Sequence, residues 1–155
     1  MKSITSVVRA ALCVAAMAAA TPALAANFSN SIHIDGIASG GNYDVLTFGW
    51  GEPGSLTFTT LAGVDSVVHM QDAISGQVLG TADLTVTTNA STTAVAIHLT
   101  GVKIKVVRIT SDETASDTTP RETVSLTFKT VDYTFTPVNP VGQPSGPPVT
   151  FSNVP

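Results

Sequence analysis

The stretch RETVSLTFKTVDYTF, residues 121–135, alternates polar and apolar residues as a half-buried strand does, but its apolar set changes parity partway along. Val124, Leu126 and Phe128 sit at even positions, and Val131, Tyr133 and Phe135 at odd ones. Strand side chains alternate faces with a period of two, so one straight strand would turn one of these sets into water. The long apolar run TAVAIHLTGVKIKVVRIT, residues 93–110, does the same: Val95, Ile97 and Leu99 give way across Gly101 to Val102, Ile104 and Val106, then to Val107 and Ile109. Two strands that exchange faces imply bulges or sharp bends, the devices by which a strand passes from one sheet to another in a small barrel or orthogonal sandwich. The second half of each run then packs a different wall or a neighbouring subunit.

The rest of the chain fits a mainly β domain. The first 25 residues read as a cleavable secretory signal: Lys2 and Arg9 form a basic start, AALCVAAMAAA is an apolar run, and Ala23-Leu24-Ala25 offers the small residues a signal peptidase needs. The run is short of the ~20 residues that span a bilayer, so stable membrane insertion is not expected. Cys13 lies inside it, which leaves the remaining 26–155 without cysteine and therefore without disulfides or thiolate metal sites. Residues 26–155 are read as one domain, long enough to bury roughly two thirds of its unfolded surface. Without Lys2 and Arg9, five basic residues face eleven acidic ones, a formal charge of −6 that makes nucleic acid and anionic membrane poor partners.

Threonine supplies 21 of these residues, and β-branched side chains suit a pleated surface. IHIDGI, YDVLTFGW, SLTFTTL and QVLGTADLTVTT are strand candidates separated by glycine-rich turns. VDSVVHMQDAISG breaks the pattern: Val64, Val67, Val68 and Ile74 fall roughly on one face, Asp65 can cap the first turn and Gly76 can end it, so the spacing predicts one short helix with that face inward. Five prolines between positions 137 and 148 predict an extended surface segment before a last short strand.

IDGIASGGNYDVLTFGWG, IHLTGVKIKVVRIT, PRETVSLTFKTVDYTFTP and the closing GPPVTF together resemble, in the same order, segments of the haemolysin-coregulated protein (Hcp) family, the tube proteins of type VI secretion. The resemblance spans residues 32–151 and is most specific in the Pro-Arg-Glu corner followed by VSLTF, DYTF and TP. It implies a small antiparallel β-barrel with a flanking helix, homohexameric rings that stack into a hollow tube, and secreted effectors as cargo in the lumen. It implies no catalytic residues and no cofactor. The chain departs from the family in its export signal and in the short loop GWGEPGS after the second strand, where the family has a long loop used in stacking.

Several motifs carry no chemistry. Gly49–Gly54 matches G-x-G-x-x-G but runs into another strand rather than a helix N-terminus, so a hairpin turn is expected. His33, His69 and His98 lack metal-ligand spacing and read as surface histidines. SDETASD, residues 111–117, lacks the glycine and terminal glutamate of a calcium loop and reads as a solvated turn. Trp50, at a strand end, reads as a plug on the core. Arg121 and Glu122, at the corner before the most recognisable strand, read either as an exposed ion pair or as residues reaching a neighbouring subunit. With Val131, Tyr133 and Phe135 they form the candidate subunit-interface set.

Two readings result. The first is an Hcp-like ring or tube subunit associated with type VI secretion. The second is a secreted or periplasmic monomeric β-module that binds a ligand and keeps only the fold.

Overall fold

The computed structural model describes residues 26–38, 40–111 and 119–153. The parity change in 121–135 marks two strands that belong to different sheets. β8 (Arg121–Thr127) lies in a four-stranded sheet of order β3-β4-β8-β7, and β9 (Thr130–Phe135) in a six-stranded sheet of order β10-β9-β6-β5-β1-β2. The chain crosses between them at Phe128 and Lys129, so Val124 and Leu126 face the core from one layer and Val131 from the other. The run 93–110 divides in the same way. β6 (Thr93–Thr100) pairs with β9, and β7 (Lys103–Thr110) pairs with β8.

The two crossings lie side by side, with the Lys129 amide donating to the Thr100 carbonyl at 2.8 Å. Gly101 turns the first of them with φ +60°, a backbone angle that favours glycine, and the Lys129 side chain lies over it, 2.7–2.8 Å from where a Cβ would stand. The further parity slip in 104–107 is a bulge in β7. Ile104 pairs with Leu126 but Val106 pairs with Ser125, so Lys105 is the extra residue and Val107, opposite Val124, regains the inward face.

The remaining strands are β1 (Phe28–Ile34), β2 (Asn42–Asp44), β3 (Thr47–Trp50), β4 (Ser55–Leu61), β5 (Thr81–Thr88) and β10 (Val149–Asn153). All pairings are antiparallel. The expected strand YDVLTFGW is broken at Val45 and Leu46 into β2 and β3, which again sit in different sheets. β5 alternates throughout, with Ala82, Leu84 and Val86 buried and Thr81, Asp83, Thr85 and Thr87 on the other face. Among the described residues no ladder joins the two sheets, so the layers form a sandwich with strand-made corners and not a closed barrel. The core between them contains Ile32, Leu56, Phe58, Leu84, Ile97 and Leu99.

The helix α1 (Asp65–Ser75) forms where the spacing predicts it and packs on β7. Its orientation differs from the expected one at three of the four apolar positions. Ser66, His69 and Asp72 are buried, whereas Val64, Val67 and Ile74 are 88 %, 71 % and 82 % exposed. Of the expected inward set only Val68 packs against the core; Val64, Val67 and Ile74 point outward, because a buried carboxylate on β8 needs donors and Ser66 and His69 turn inward to supply them. Asp65 makes no side-chain cap; Ser66 Oγ instead accepts from the Gly63 amide at 3.1 Å. Gly76 ends the helix in the left-handed conformation, with its amide donating to the Asp72 carbonyl. The proline-rich segment does not run straight. It closes a small loop through a Val138–Pro144 bridge, with Asn139 Oδ1 accepting from the Val141 and Gln143 amides, and docks on Thr88 before β10 returns beside β9.

Candidate functional site

β8 leads from one end of the four-stranded sheet to the other, and each end holds a distinct group of side chains. At the first end is Glu122, 1 % exposed, opposite Thr60 on β4 and Ile109 on β7. Its Oε2 accepts from Ser66 Oγ at 2.9 Å, and His69 Nδ1 lies 3.2 Å from both carboxylate oxygens. A carboxylate accepts, so Nδ1 carries the proton, and Nε2 points into the protein without a hydrogen-bond partner. The Tyr43 ring meets the His69 ring edge-on at 4.8 Å between centroids. This overturns the surface assignment of His69, which is fully buried. Ser, His and Glu are the elements of a hydrolase triad, but here Ser66 donates to the glutamate and not to the histidine, and the group is sealed from any substrate. Its work is to fasten α1 and β2 to the sheet. The exposed-pair reading of Arg121 and Glu122 fails for Glu122 for the same reason, while Arg121 is half-buried at the start of β8.

At the other end the sheets leave a groove of about 810 Å³ whose walls include Trp50, Phe128, Val131, Tyr133 and Phe151. Val131, Tyr133 and Phe135 lie on the inward face of β9, opposite Leu99, Ile97 and Val95 of β6. Exposure rises along them: Val131 is buried, Tyr133 half-buried and Phe135 44 % exposed. The inward face of the six-stranded sheet therefore runs out from under the four-stranded one. β10 continues this overhang with Val149 and Phe151, both exposed. Trp50 does not plug the core; it is half exposed at the groove rim, its ring 6.1 Å from that of Phe128 and at 66° to it. The sequence set missed Phe128, Val149 and Phe151, although the alternation Val149-Thr150-Phe151 carries the same signal as the strand it pairs with.

The outer face of the six-stranded sheet is polar. Asn42, His33, Asp83, His98 and Asp132 stand in register across β2, β1, β5, β6 and β9. His33 contacts Asn42 Oδ1 at 3.0 Å and Asp35 Oδ1 at 2.9 Å, and His98 contacts Asp83 at 2.5 Å. The Asp35 carboxyl is held below its ordinary range, first by the Thr81 hydroxyl that donates to it at 2.7 Å and then by His33. Residues 49–54 form the expected hairpin, with the Ser55 amide donating to the Glu52 carbonyl. The acidic turn proposed at 111–117 lies outside the described residues except for Ser111.

The two antiparallel sheets and the helix of the described residues superpose on a set of solved structures. An Hcp1 crystal structure from Salmonella typhimurium superposes with a TM-score of 0.67 at 18% identity, over 82% of this chain and 94% of that one. A type VI secretion system effector from Yersinia pestis gives 0.65 at 20% identity over 81% and 98% of the two chains. The secreted protein Hcp3 from Pseudomonas aeruginosa gives 0.59 at 14%, over 83% and 98%. This chain has the Hcp fold. No protein-family model matches it, and no curated protein does. The likeness takes in almost the whole of each of those chains, so it is the fold as a whole that is shared.

Proposed function

We propose that this chain is an Hcp-like structural protein, the repeating subunit of a self-associated ring or tube connected with type VI secretion, and that its role is not catalytic. The observation that carries the reading is the match to Hcp structures over 94% to 98% of their length, since a subunit that kept only part of the fold would leave a different core. Two features of the chain agree with it. A buried polar cluster locks the helix to the sandwich, and apolar side chains of both sheets remain uncovered beyond the far end of β8. A homohexameric ring, with secreted effectors as cargo, is the form the resemblance implies. Of the sequence-derived contact set, Tyr133, Phe135 and Arg121 would meet a neighbour directly, a role their partial exposure supports, and the buried Val131 and Glu122 would act by supporting those surfaces.

Residues 1–25 are proposed to be a cleaved export signal, so that the protein works in the periplasm or outside the cell. Light scattering on the purified protein tests assembly. A mass several times that of one chain is expected, and a monomer at every concentration would replace this reading with the secreted binding module. N-terminal sequencing of protein from the periplasm or medium tests export; a start at or near Ala26 is expected, and intact Met1 on cytoplasmic protein would refute it.

A further inference from the structure

The two ends of the four-stranded sheet carry surfaces that complement each other. At one end α1 closes the sandwich with its polar face and presents Val64, Val67 and Ile74 outward as a convex apolar ridge. These positions lie three and seven residues apart, so they line up along one side of the helix. At the other end the groove beneath Trp50 and Phe151 is concave and apolar, and none of the residues that form it is charged. The distance between the ends along β8, from Glu122 to Thr127, is roughly 17 Å at the usual rise of a strand. One end of the sandwich is thus plugged by a helix from its own chain, and the other is left open.

We propose that the ridge of α1 from one copy seats in the groove of the next, so that each subunit's open end is closed by its neighbour's helix. The proposal rests on the ring reading and names the two surfaces that would make the ring. A ridge and a groove at opposite ends give a head-to-tail contact, which closes into a ring when its rotation divides a full turn. The occupant is a second copy because the chain itself supplies a ridge with the groove's own chemistry. Neither surface carries a charge where they would meet, Gln71 on the helix and Thr127 and Asn153 in the groove being their polar members, so neither offers a counter-charge to an acidic or a basic peptide.

The extent is also suitable. The exposed parts of Trp50, Tyr133 and Phe151 in the groove, with those of Phe135 and Val149 beside it, amount to roughly 400 Å², about half of the ~800 Å² each partner contributes to a stable interface. β10 adds a further reason for cover. It is an edge strand of Val149-Thr150-Phe151-Ser152-Asn153, exposed throughout, with no proline or charge to discourage association.

Two double variants test this. The ridge variant is Val67→Arg with Ile74→Arg, and the groove variant is Trp50→Arg with Phe151→Arg. All four side chains are at least half exposed, so each variant should keep the wild-type circular-dichroism spectrum and melting transition. Each alone should be monomeric by light scattering where the wild type assembles. Mixed in equal amounts, they should form a dimer of twice the monomer mass and nothing larger, because only the intact ridge of one and the intact groove of the other can meet. A mixture of ridge variant with ridge variant should remain monomeric.

If the wild type assembles and either folded variant still assembles, or if the mixture gives no dimer, the contact is wrong while the ring reading stands. If the wild type itself is monomeric, both fall. A variant that loses its fold is replaced by Ile74→Cys with Phe151→Cys, since the sequence has no cysteine beyond Cys13. Oxidation should then link chains into a ladder on a denaturing gel, and a single-chain band alone would overturn the contact.

Discussion

Glu122 is the residue whose role was least legible in advance. Beside Arg121 in a polar corner it resembles half of a surface ion pair, and nothing in its neighbours reveals that Ser66 and His69 approach from more than 50 residues away. Burial of a carboxylate is tolerable only when its oxygens are satisfied, and both are. Glu122→Gln keeps the shape but puts an NH₂ group against donors that need an acceptor. It should cost ~1–3 kcal/mol, read as a lower urea midpoint with an unchanged slope. An unaltered midpoint would mean that the cluster does not hold α1 down.

On the opposite face, Asp35 gives a pH-dependent test. Its folded pKa is depressed, so the stabilisation it brings is present above its ordinary value of 3.8 and is lost as pH falls through the lower folded value. Thr81→Val removes the largest cause. NMR titration of the variant should show the Asp35 carboxyl moving up toward 3.8, and its stability deficit relative to wild type should shrink below that pH. An unmoved titration would show that the hydroxyl does not set it.

At the scale of elements, the strands were readable because one face of each is buried and side-chain period is local. The parity shifts even located the crossovers, since Phe128 to Thr130 and Gly101 are where both sets of apolar residues must reach one core from two layers. Sequence could not decide whether that second set faces a core or a neighbour, because both require the same pattern. The helix shows the limit more sharply. Its spacing and its glycine stop were legible, but an apolar stripe does not say which way it points, and the inward face was fixed by a glutamate on a distant strand. Trp50 was misplaced for a related reason: it follows the inward parity of β3, but the opposing layer does not cover that end.

The crossover itself is open to test at Gly101. Gly101→Val combines φ +60° with a Cβ less than 3 Å from Lys129. Lys129 is flexible and can withdraw, so the backbone term should dominate and the cost should be ~1–3 kcal/mol in chemical denaturation. A variant as stable as the wild type would show that the turn tolerates a different geometry.

For the whole molecule the question is what force would hold copies together when the chain is strongly acidic. Residues 26–155 carry a formal charge of −6, and like-charged subunits repel at long range. An assembly built on ion pairs would need basic residues to meet that charge, but only five are present. One of these, Lys105, contacts Glu52 within the chain at 3.4 Å. An assembly built on Trp50, Phe151 and the α1 ridge needs none. The two mechanisms respond to salt in opposite directions. Screening shortens from ~10 Å at 0.1 M to ~3 Å at 1 M, which weakens surface ion pairs and equally weakens the repulsion between acidic subunits. Apolar contacts survive that change, so a ridge-in-groove assembly should hold or tighten as sodium chloride rises from 0.1 to 1 M. Sedimentation velocity across that range measures it: a constant or growing share of the assembled species is expected at fixed protein concentration. Dissociation into monomers at 1 M would show that charged side chains, not the exposed apolar ends of the sheet, carry the contact.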